Sequence, residues 1–144
     1  MKLKIDNEVL ADSFFENSRL MGIVAPLKDY VFTWLVNQHL GFDFRLNNSL
    51  EIQLIKKKRD YFFSVFQCNV RGSSLVHYIY NNQFDGEYLL PEFKHLDFLW
   101  LIKEEYVPDD ELGELISGIR ALPGVQLVSE MTTDKIRHKQ HLIL

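Results

Sequence analysis

The pattern of apolar and polar positions predicts two strand-helix units with a run of strands between them. Strict alternation marks half-buried strands, whereas recurrence every three or four residues marks amphipathic helices. Proline begins and glycine ends the helical stretches, as in Pro26 and Gly41 around the first of them. The predicted strands are 19–24, 50–54, 61–68, 75–80, 88–90, 97–104 and 125–131, and the predicted helices are 27–40 and 108–122.

The strand at 97–104 is apolar on both of its alternating faces. Phe98, Trp100 and Ile102 lie on one side, and Leu99 and Leu101 lie on the other. A strand that is apolar on both sides is typical of the interior of a sheet that is covered twice. We therefore expect this strand to be central.

The second helix has an acidic first turn after Pro108 and an apolar stripe on one side. The strand that follows it would run parallel to the strand that precedes it, as in a crossover connection. We predict an α+β two-layer sandwich, with a mainly antiparallel sheet, two crossover helices and a likeness to ferredoxin-like architecture. Residues 1–144 are expected to form a single domain, because no linker or repeat interrupts them.

Composition narrows the functional classes. The chain carries 16 Lys and Arg against 20 Asp and Glu, a net charge of −4, so we expect no nucleic-acid partner. Its one cysteine, Cys68, excludes an internal disulfide and favours a cytoplasmic location. Residues 1–6 alternate charged and aliphatic side chains, unlike a signal peptide, and no apolar run is long enough for a membrane span.

No glycine-rich phosphate motif occurs, and the histidines are dispersed, so we expect neither a metal nor a nucleotide cofactor. His138 and His141 could share a helix face, but no third ligand stands nearby in the sequence. The basic stretch 56–59, followed by aromatic residues, could bind single-stranded nucleic acid. A solvated hairpin turn that discourages aggregation explains it better, because one basic turn on an acidic protein is weak evidence for such binding.

One segment carries a recognisable motif. It runs from Leu90 to Phe98 and reads Leu-Pro-Glu-Phe-Lys-His-Leu-Asp-Phe. This string resembles the signature of the IPExxxVDY family, a group of small bacterial proteins without an established activity. The matching positions are Leu90, Pro91, Glu92, Leu96, Asp97 and Phe98, where Phe98 replaces the family's tyrosine. Weaker likenesses are Gly22-Ile23, Pro26-Leu27, Asp29-Tyr30, residues 34–37 and Leu40-Gly41, and Val31 stands where a polar residue is expected.

The same segment contains the best candidates for chemistry. Glu92, His95 and Asp97 could supply an acid, a base and an orienting partner. The alternative is structural: carboxylates beside a core usually accept local hydrogen bonds, and His95 would then be a surface residue. We favour the structural role for Glu92 and Asp97.

The first helix is apolar on two sides. Its larger face has Leu27, Tyr30, Val31, Trp34 and Leu35, which we expect to face the core. Its second face has Phe32, Val36 and Leu40, which would either lie under the long hairpin or contact another chain.

These observations favour a non-enzymatic, cytoplasmic interaction or regulatory module of unknown partner. The partner could be another protein or a second copy, contacted through the first helix or an exposed sheet edge. The alternative is a small-ligand-binding protein or metabolic enzyme with its site around Glu92, His95 and Asp97.

Overall fold

The computed structural model describes residues 10–144, and its centre is a six-stranded sheet. Residues 1–6, for which we argued against a signal peptide, lie outside the described part. The strands are β1 (Arg19–Val24), β2 (Arg45–Leu46), β3 (Ile52–Lys56), β4 (Arg59–Phe63), β5 (Val65–Asn69), β6 (Val76–Asn81), β7 (Gln83–Phe84), β8 (Glu87–Tyr88), β9 (Phe98–Lys103) and β10 (Leu127–Met131). The helices are α1 (Asp29–Leu40) and α2 (Asp109–Arg120), residues 10–14 are also helical, and 3₁₀ turns cover Asn48–Leu50, Pro91–Phe93, Thr133–Lys135 and Lys139–Leu142.

The strand order is β10-β1-β9-β6-β5-β2, and neighbouring strands of this sheet are antiparallel. The first strand, β1, lies between β9 and β10 and is antiparallel to both. β9 and β10 are therefore parallel to each other, and α2 makes the crossover between them. The predicted α+β class with a mainly antiparallel sheet is confirmed.

Both faces of the sheet are covered. On one face, side chains from α1 and α2 pack against Met21, Ile23 and Trp100. On the other, the β3-β4 hairpin and the C-terminal 3₁₀ turns cover a second apolar cluster that includes Leu99 and Leu101. The expected two-layer description therefore fits loosely, because the second face carries a layer of its own. The central, doubly covered position predicted for β9 is confirmed.

The hairpin differs from its prediction in two respects. Its first strand, predicted at 50–54, covers Ile52–Lys56, because the turn consists only of Lys57 and Lys58. Residues 61–68 were expected to form one strand, but they belong to β4 and β5, with Ser64 between them. The Ser64 carbonyl accepts a hydrogen bond from the Asn81 amide, which marks where the chain enters the central sheet. Residues 61–68 therefore contribute to two sheets, and the polar Ser64 lies between the two strands.

The orientation predicted for α1 is wrong. Phe32 and Val36 are completely buried, and Leu40 packs partly buried against the core. Tyr30 and Trp34, expected to face inward, are 61% and 58% exposed. The proposed interface through Phe32, Val36 and Leu40 is therefore withdrawn, because these side chains form the chain's own core.

The cover over this inner face is the central sheet and not the hairpin. Phe32 stacks on Phe98 of β9 with ring centroids 4.5 Å apart and planes 8° from parallel. Leu40 lies against Gly118 of α2, where a Cβ atom would come within 3.0 Å of its side chain. Gly41, at φ 74°, then ends the helix in the left-handed conformation, as the sequence predicted.

One buried arginine links β1 to β10 and to the start of α2. Arg19 on β1 binds Glu130 of β10 through two hydrogen bonds of 2.7 and 2.9 Å. It also binds Asp109 at the start of α2, the Val107 carbonyl and the Tyr106 hydroxyl. Hydrogen bonding to Glu130 raises the pKa of Arg19 above its ordinary value. The side chain therefore fixes the loop that leads into α2.

Candidate functional site

The motif segment from Leu90 to Phe98 is a short 3₁₀ turn followed by the start of β9. Leu90 is extended, as expected before a proline, and Pro91 occupies the first turn. Leu90 and Leu96 are buried in the cluster on the hairpin side of the sheet. The segment is therefore a packed connection whose two leucines anchor it.

The segment is wrapped around one buried amide side chain. Asn82 has no exposed surface, and its Nδ2 donates to the carbonyls of Phe93 and Leu96 at 3.0 and 2.9 Å. Its Oδ1 accepts from the Leu90 amide at 2.8 Å. Its backbone also bonds to Asp97 and Leu89. Asn82 therefore holds both ends of the motif, a role that its place in an Asn-Asn pair did not reveal.

Asp97 fastens the motif to β1. Its Oδ2 accepts the Ala25 amide at 2.8 Å, and its own amide donates to the Ile23 carbonyl at the same distance. A carboxylate that satisfies a backbone donor at the end of a buried strand stabilises that strand end. The structural role favoured for Asp97 agrees with this geometry.

Glu92 fastens the motif to the C-terminal part of the chain. One carboxylate oxygen accepts the backbone amide of His138 at 2.9 Å. The other pairs with the ring Nδ1 of His138, also at 2.9 Å. Burial alone would raise the pKa of Glu92, but the hydrogen bonds, including those from His138, lower it below its ordinary value. Nearby, the His141 ring pairs with the Leu89 carbonyl at 2.7 Å, and burial lowers the pKa of His141.

The three candidate groups therefore do not form one site. Glu92 bonds to His138, Asp97 bonds to β1, and the His95 side chain is exposed. His138 and His141 do approach each other, with ring centroids 5.0 Å apart. Within residues 10–144, however, no group of three His, Cys, Asp or Glu side chains could hold a metal ion.

A close approach fixes the motif against the middle of β1. A Cβ atom on Gly22 would lie 2.6 Å from a methyl carbon of Leu96 and 2.8 Å from the Met131 sulfur. Only glycine lets Leu96 pack at this distance from the strand. The Gly22-Ile23 pair noted in the sequence therefore contacts the motif directly.

A cleft opens where β1 ends and β9 begins. Its volume is about 520 Å³, and it joins the Pro26–Tyr30 stretch to Asp97 and Phe98 of the motif. Asn81 and Gln83 complete the lining, and the Asn81 amide lies 3.4 Å from the Asp29 carboxylate. The cleft therefore brings together two stretches that the sequence had singled out separately. Its charged lining consists of Lys28, Asp29 and Asp97.

No known relative helps to interpret this cleft. Comparison with protein-family models, with curated proteins and with solved structures found no match to the chain. The site must therefore be interpreted from its own chemistry. No helix among residues 10–144 is long and apolar enough to cross a membrane.

A second buried polar contact lies under the helices. The Trp100 indole donates to Nδ1 of His77 at 3.0 Å, so the proton of the neutral imidazole is on Nε2. Phe42 and Phe44 pack edge-on around this pair. Burial lowers the pKa of His77 to about 4. The sequence placed His77 on a strand but gave no sign of its indole partner.

The buried imidazole makes the fold sensitive to acid. The pKa of His77 is about 4 in the folded chain against 6.5 for the free side chain. The unfolded chain therefore takes up the proton first, and stability is lost as the pH falls from 6.5 to 4. The loss is about 3 kcal/mol from this group. Urea unfolding of wild type and His77→Gln at pH 7 and pH 4 measures it, because glutamine keeps an acceptor without titrating. Equal losses in the two proteins would contradict the assignment.

Proposed function

We propose that the protein is a non-enzymatic interaction module that docks a protein partner on the outer face of α1. We call this surface the helix-1 aromatic face and define it as Tyr30, Val31, Trp34 and Leu35. Tyr30 and Trp34 are largely exposed, and Val31 and Leu35 are half-buried. Their spacing places them side by side along one side of the helix.

The exposed tryptophan carries the proposal. Isolated surface leucines are ordinary, whereas a contiguous patch with Trp and Tyr is typical of a contact surface. Aromatic side chains are enriched at the centres of protein interfaces because they bury a large area with few rotatable bonds. The inner face of α1 already supplies its share of the core, so the fold does not require apolar residues outside.

The interactions of the motif support a non-enzymatic role. Both oxygens of Glu92 bond to His138 in the C-terminal segment, and one oxygen of Asp97 accepts the Ala25 amide after β1. Asn82 is fully engaged by the backbone of the motif. Polar groups that are hydrogen-bonded within the fold in this way stabilise the folded chain.

The edges of the sheet are weaker candidates for docking. At one edge, the Arg120 guanidinium donates to the Val128 carbonyl of β10 at 2.9 Å. At the other, β2 has only two residues. Short strands and covered carbonyls both discourage strand addition. The helix-1 aromatic face has no such cover among the described residues.

Site-specific photo-cross-linking tests the proposal. Benzoylphenylalanine replaces Tyr30 in the native cell, and in a matched protein it replaces Tyr106, which is 58% exposed against 61% for Tyr30. We expect a covalent protein adduct from position 30 and not from position 106. Trp34→Glu should abolish the adduct at position 30, because charge at an interface centre disrupts docking. Absence of an adduct at position 30, or the same adducts from both positions, would refute the proposal.

The alternative is a small-ligand or enzymatic site, and the cleft is the observation that favours it. Asp97 reaches this cleft together with Asp29 and the amides of Asn81 and Gln83. Glu92 and His95 are not part of its lining. The alternative therefore retains one of the three residues from which it was first argued.

We also infer membership of the IPExxxVDY family, a bacterial source and a cytoplasmic location. The motif from Leu90 to Phe98 supports the family, and the single cysteine supports the compartment. The likeness to ferredoxin-like architecture is a further proposal. It is supported by the parallel pair β9 and β10 with β1 between them, and by a helix after β1 and after β9.

A further inference from the structure

A second apolar surface lies on the opposite side of the sheet from α1. We call it the hairpin tip face and define it as Ile55, Lys57, Lys58, Phe62 and Phe84. Ile55 is 71% exposed, and Phe62 and Phe84 are partly exposed with their rings 6.0 Å apart. Gln53 pairs with Phe62 and Ile55 pairs with Asp60, so Phe62 and Ile55 point outward together from β3 and β4.

The charge of this surface comes from two lysines and one aspartate, Asp60. Lys56 pairs with Glu87, and Arg59 pairs with Asp85, so these cations are neutralised locally. Lys57 and Lys58 are exposed, and neither forms an ion pair within the described part of the chain. Asp60 is exposed and lies opposite Ile55, so the tip presents two ammonium groups and one carboxylate, a net charge of +1, beside three apolar side chains.

The backbone conformation at these two lysines is one that lysine rarely adopts. Lys57 and Lys58 have φ values of 51° and 64°, the left-handed conformation required at both positions of a tight two-residue turn. Asn-Gly is the usual choice there, and other side chains cost about 1–2 kcal/mol each. The chain accepts this cost and gains two exposed positive charges.

The helix-1 aromatic face has the complementary chemistry. It offers Tyr30 and Trp34 beside the cleft, and the cleft has two carboxylates, Asp29 and Asp97, against one ammonium, Lys28. The net charge of the three lining groups is thus −1. One surface is apolar and positive, and the other is apolar and negative.

We propose that the occupant of the helix-1 aromatic face is the hairpin tip face of a second copy of this chain. This inference builds on the proposed function, because it names the partner of the same surface. The lysines approach the carboxylates of the cleft while Ile55 and Phe62 pack against Tyr30 and Trp34. Complementary charge at the rim of such a contact guides the encounter and fixes its register.

The positions of the two surfaces determine how the copies assemble. α1 covers one face of the sheet and the hairpin covers the other. A contact between two different surfaces is heterologous, so each copy keeps one docking surface free, and the copies form an open chain or a closed ring. A two-fold dimer through α1 would instead place one negative cleft against another.

Mixing of complementary variants tests this arrangement. Trp34→Glu disables the helix-1 aromatic face, and the double variant Lys57→Glu with Lys58→Glu disables the hairpin tip face. Sedimentation velocity of the wild type over rising concentration should show assemblies larger than a dimer. Each variant alone should remain monomeric, with association weakened at least about tenfold. An equimolar mixture of the two should form a dimer and nothing larger, because each variant retains the surface that the other lacks.

Several outcomes overturn the proposal. They are a wild type that stays monomeric at every concentration, assembly by either variant alone, and a mixture that remains monomeric. Circular dichroism melts verify that the variants fold, and Trp34→Ala serves as a second version of the first variant. A monomeric wild type that still gives an adduct with another protein at position 30 refutes self-docking and leaves the proposed function intact. Assembly of the wild type should also weaken between 50 and 500 mM salt, as expected for exposed opposite charges.

Discussion

Val36→Glu is expected to prevent folding. Val36 is completely buried between α1 and the sheet, and a carboxylate there would lose its water without gaining a partner. Such a change costs at least about 4 kcal/mol, a large part of the 5–15 kcal/mol that stabilises a typical domain. Circular dichroism and urea unfolding should show an unfolded or insoluble chain at neutral pH.

The matched control is two residues away on the same helix. Trp34→Glu introduces the same charge on the outer face, where the side chain is mostly exposed. It should change the free energy of unfolding by less than about 1 kcal/mol, as most surface substitutions do. Val36→Ala should remain folded with a lower midpoint. A folded Val36→Glu protein with the wild-type midpoint would show that the assignment of the two faces of α1 is mistaken.

Asn82→Ala is expected to lower the free energy of unfolding by about 3–5 kcal/mol. The substitution removes three hydrogen bonds and leaves the Leu90 amide and the Leu96 carbonyl without a partner, whereas the Phe93 carbonyl still accepts the Leu96 amide. Each buried group left unsatisfied costs about 1–3 kcal/mol. Equilibrium urea unfolding monitored by tryptophan fluorescence measures the change, because Trp100 lies on the strand that follows the motif.

The neighbouring residue provides the comparison. Asn81→Ala removes a half-buried side chain that bonds to Asp29 at 3.4 Å and accepts the exposed Gln83 amide at 3.1 Å, so it should cost less than about 1 kcal/mol. Asn82→Asp should be as damaging as Asn82→Ala, because a carboxylate cannot donate to the two carbonyls. Equal unfolding midpoints for wild type and Asn82→Ala would contradict the view that this amide organises the motif.

The elements of the fold follow well from local patterns. β1 has the bounds predicted for it, α1 ends at the glycine expected to stop it, and β9 has the two apolar faces of an interior strand. In each case neighbouring residues are enough for the prediction. The regular repeat of a helix or a strand determines on which side each side chain lies.

The choice between the two faces of α1 could not be made in this way. Periodicity identifies apolar stripes, but both stripes of this helix are apolar, and the larger one proved to be outside. The decision depends on Phe98 and on Gly118, which are distant in sequence from Phe32 and Leu40. Both are tertiary contacts between residues far apart in the sequence, and a local pattern of apolar residues does not predict them.

The candidate site shows the same limit. The motif identifies Leu90 and Asp97, but their partners Asn82 and Ala25 lie elsewhere in the chain, directly after β6 and β1. Asn-Asn is typical of turns, so the sequence does not predict that the second residue of the pair, Asn82, is buried. A useful signal was available in the chain: a polar pair directly after an alternating strand and before a further strand is a place where a side chain can cap backbone groups.

The position of β1 between β9 and β10 has a consequence for how the protein is made. Arg19 on this strand binds Glu130, which lies 111 positions further along the chain. Both neighbours of β1 in the sheet are also strands from the last third of the sequence. During synthesis at about 5–20 residues per second, β1 therefore leaves the ribosome several seconds before either partner exists. It must stay solvated or transiently bound until then, so the sheet closes around β1 only after β9 and β10 have been made.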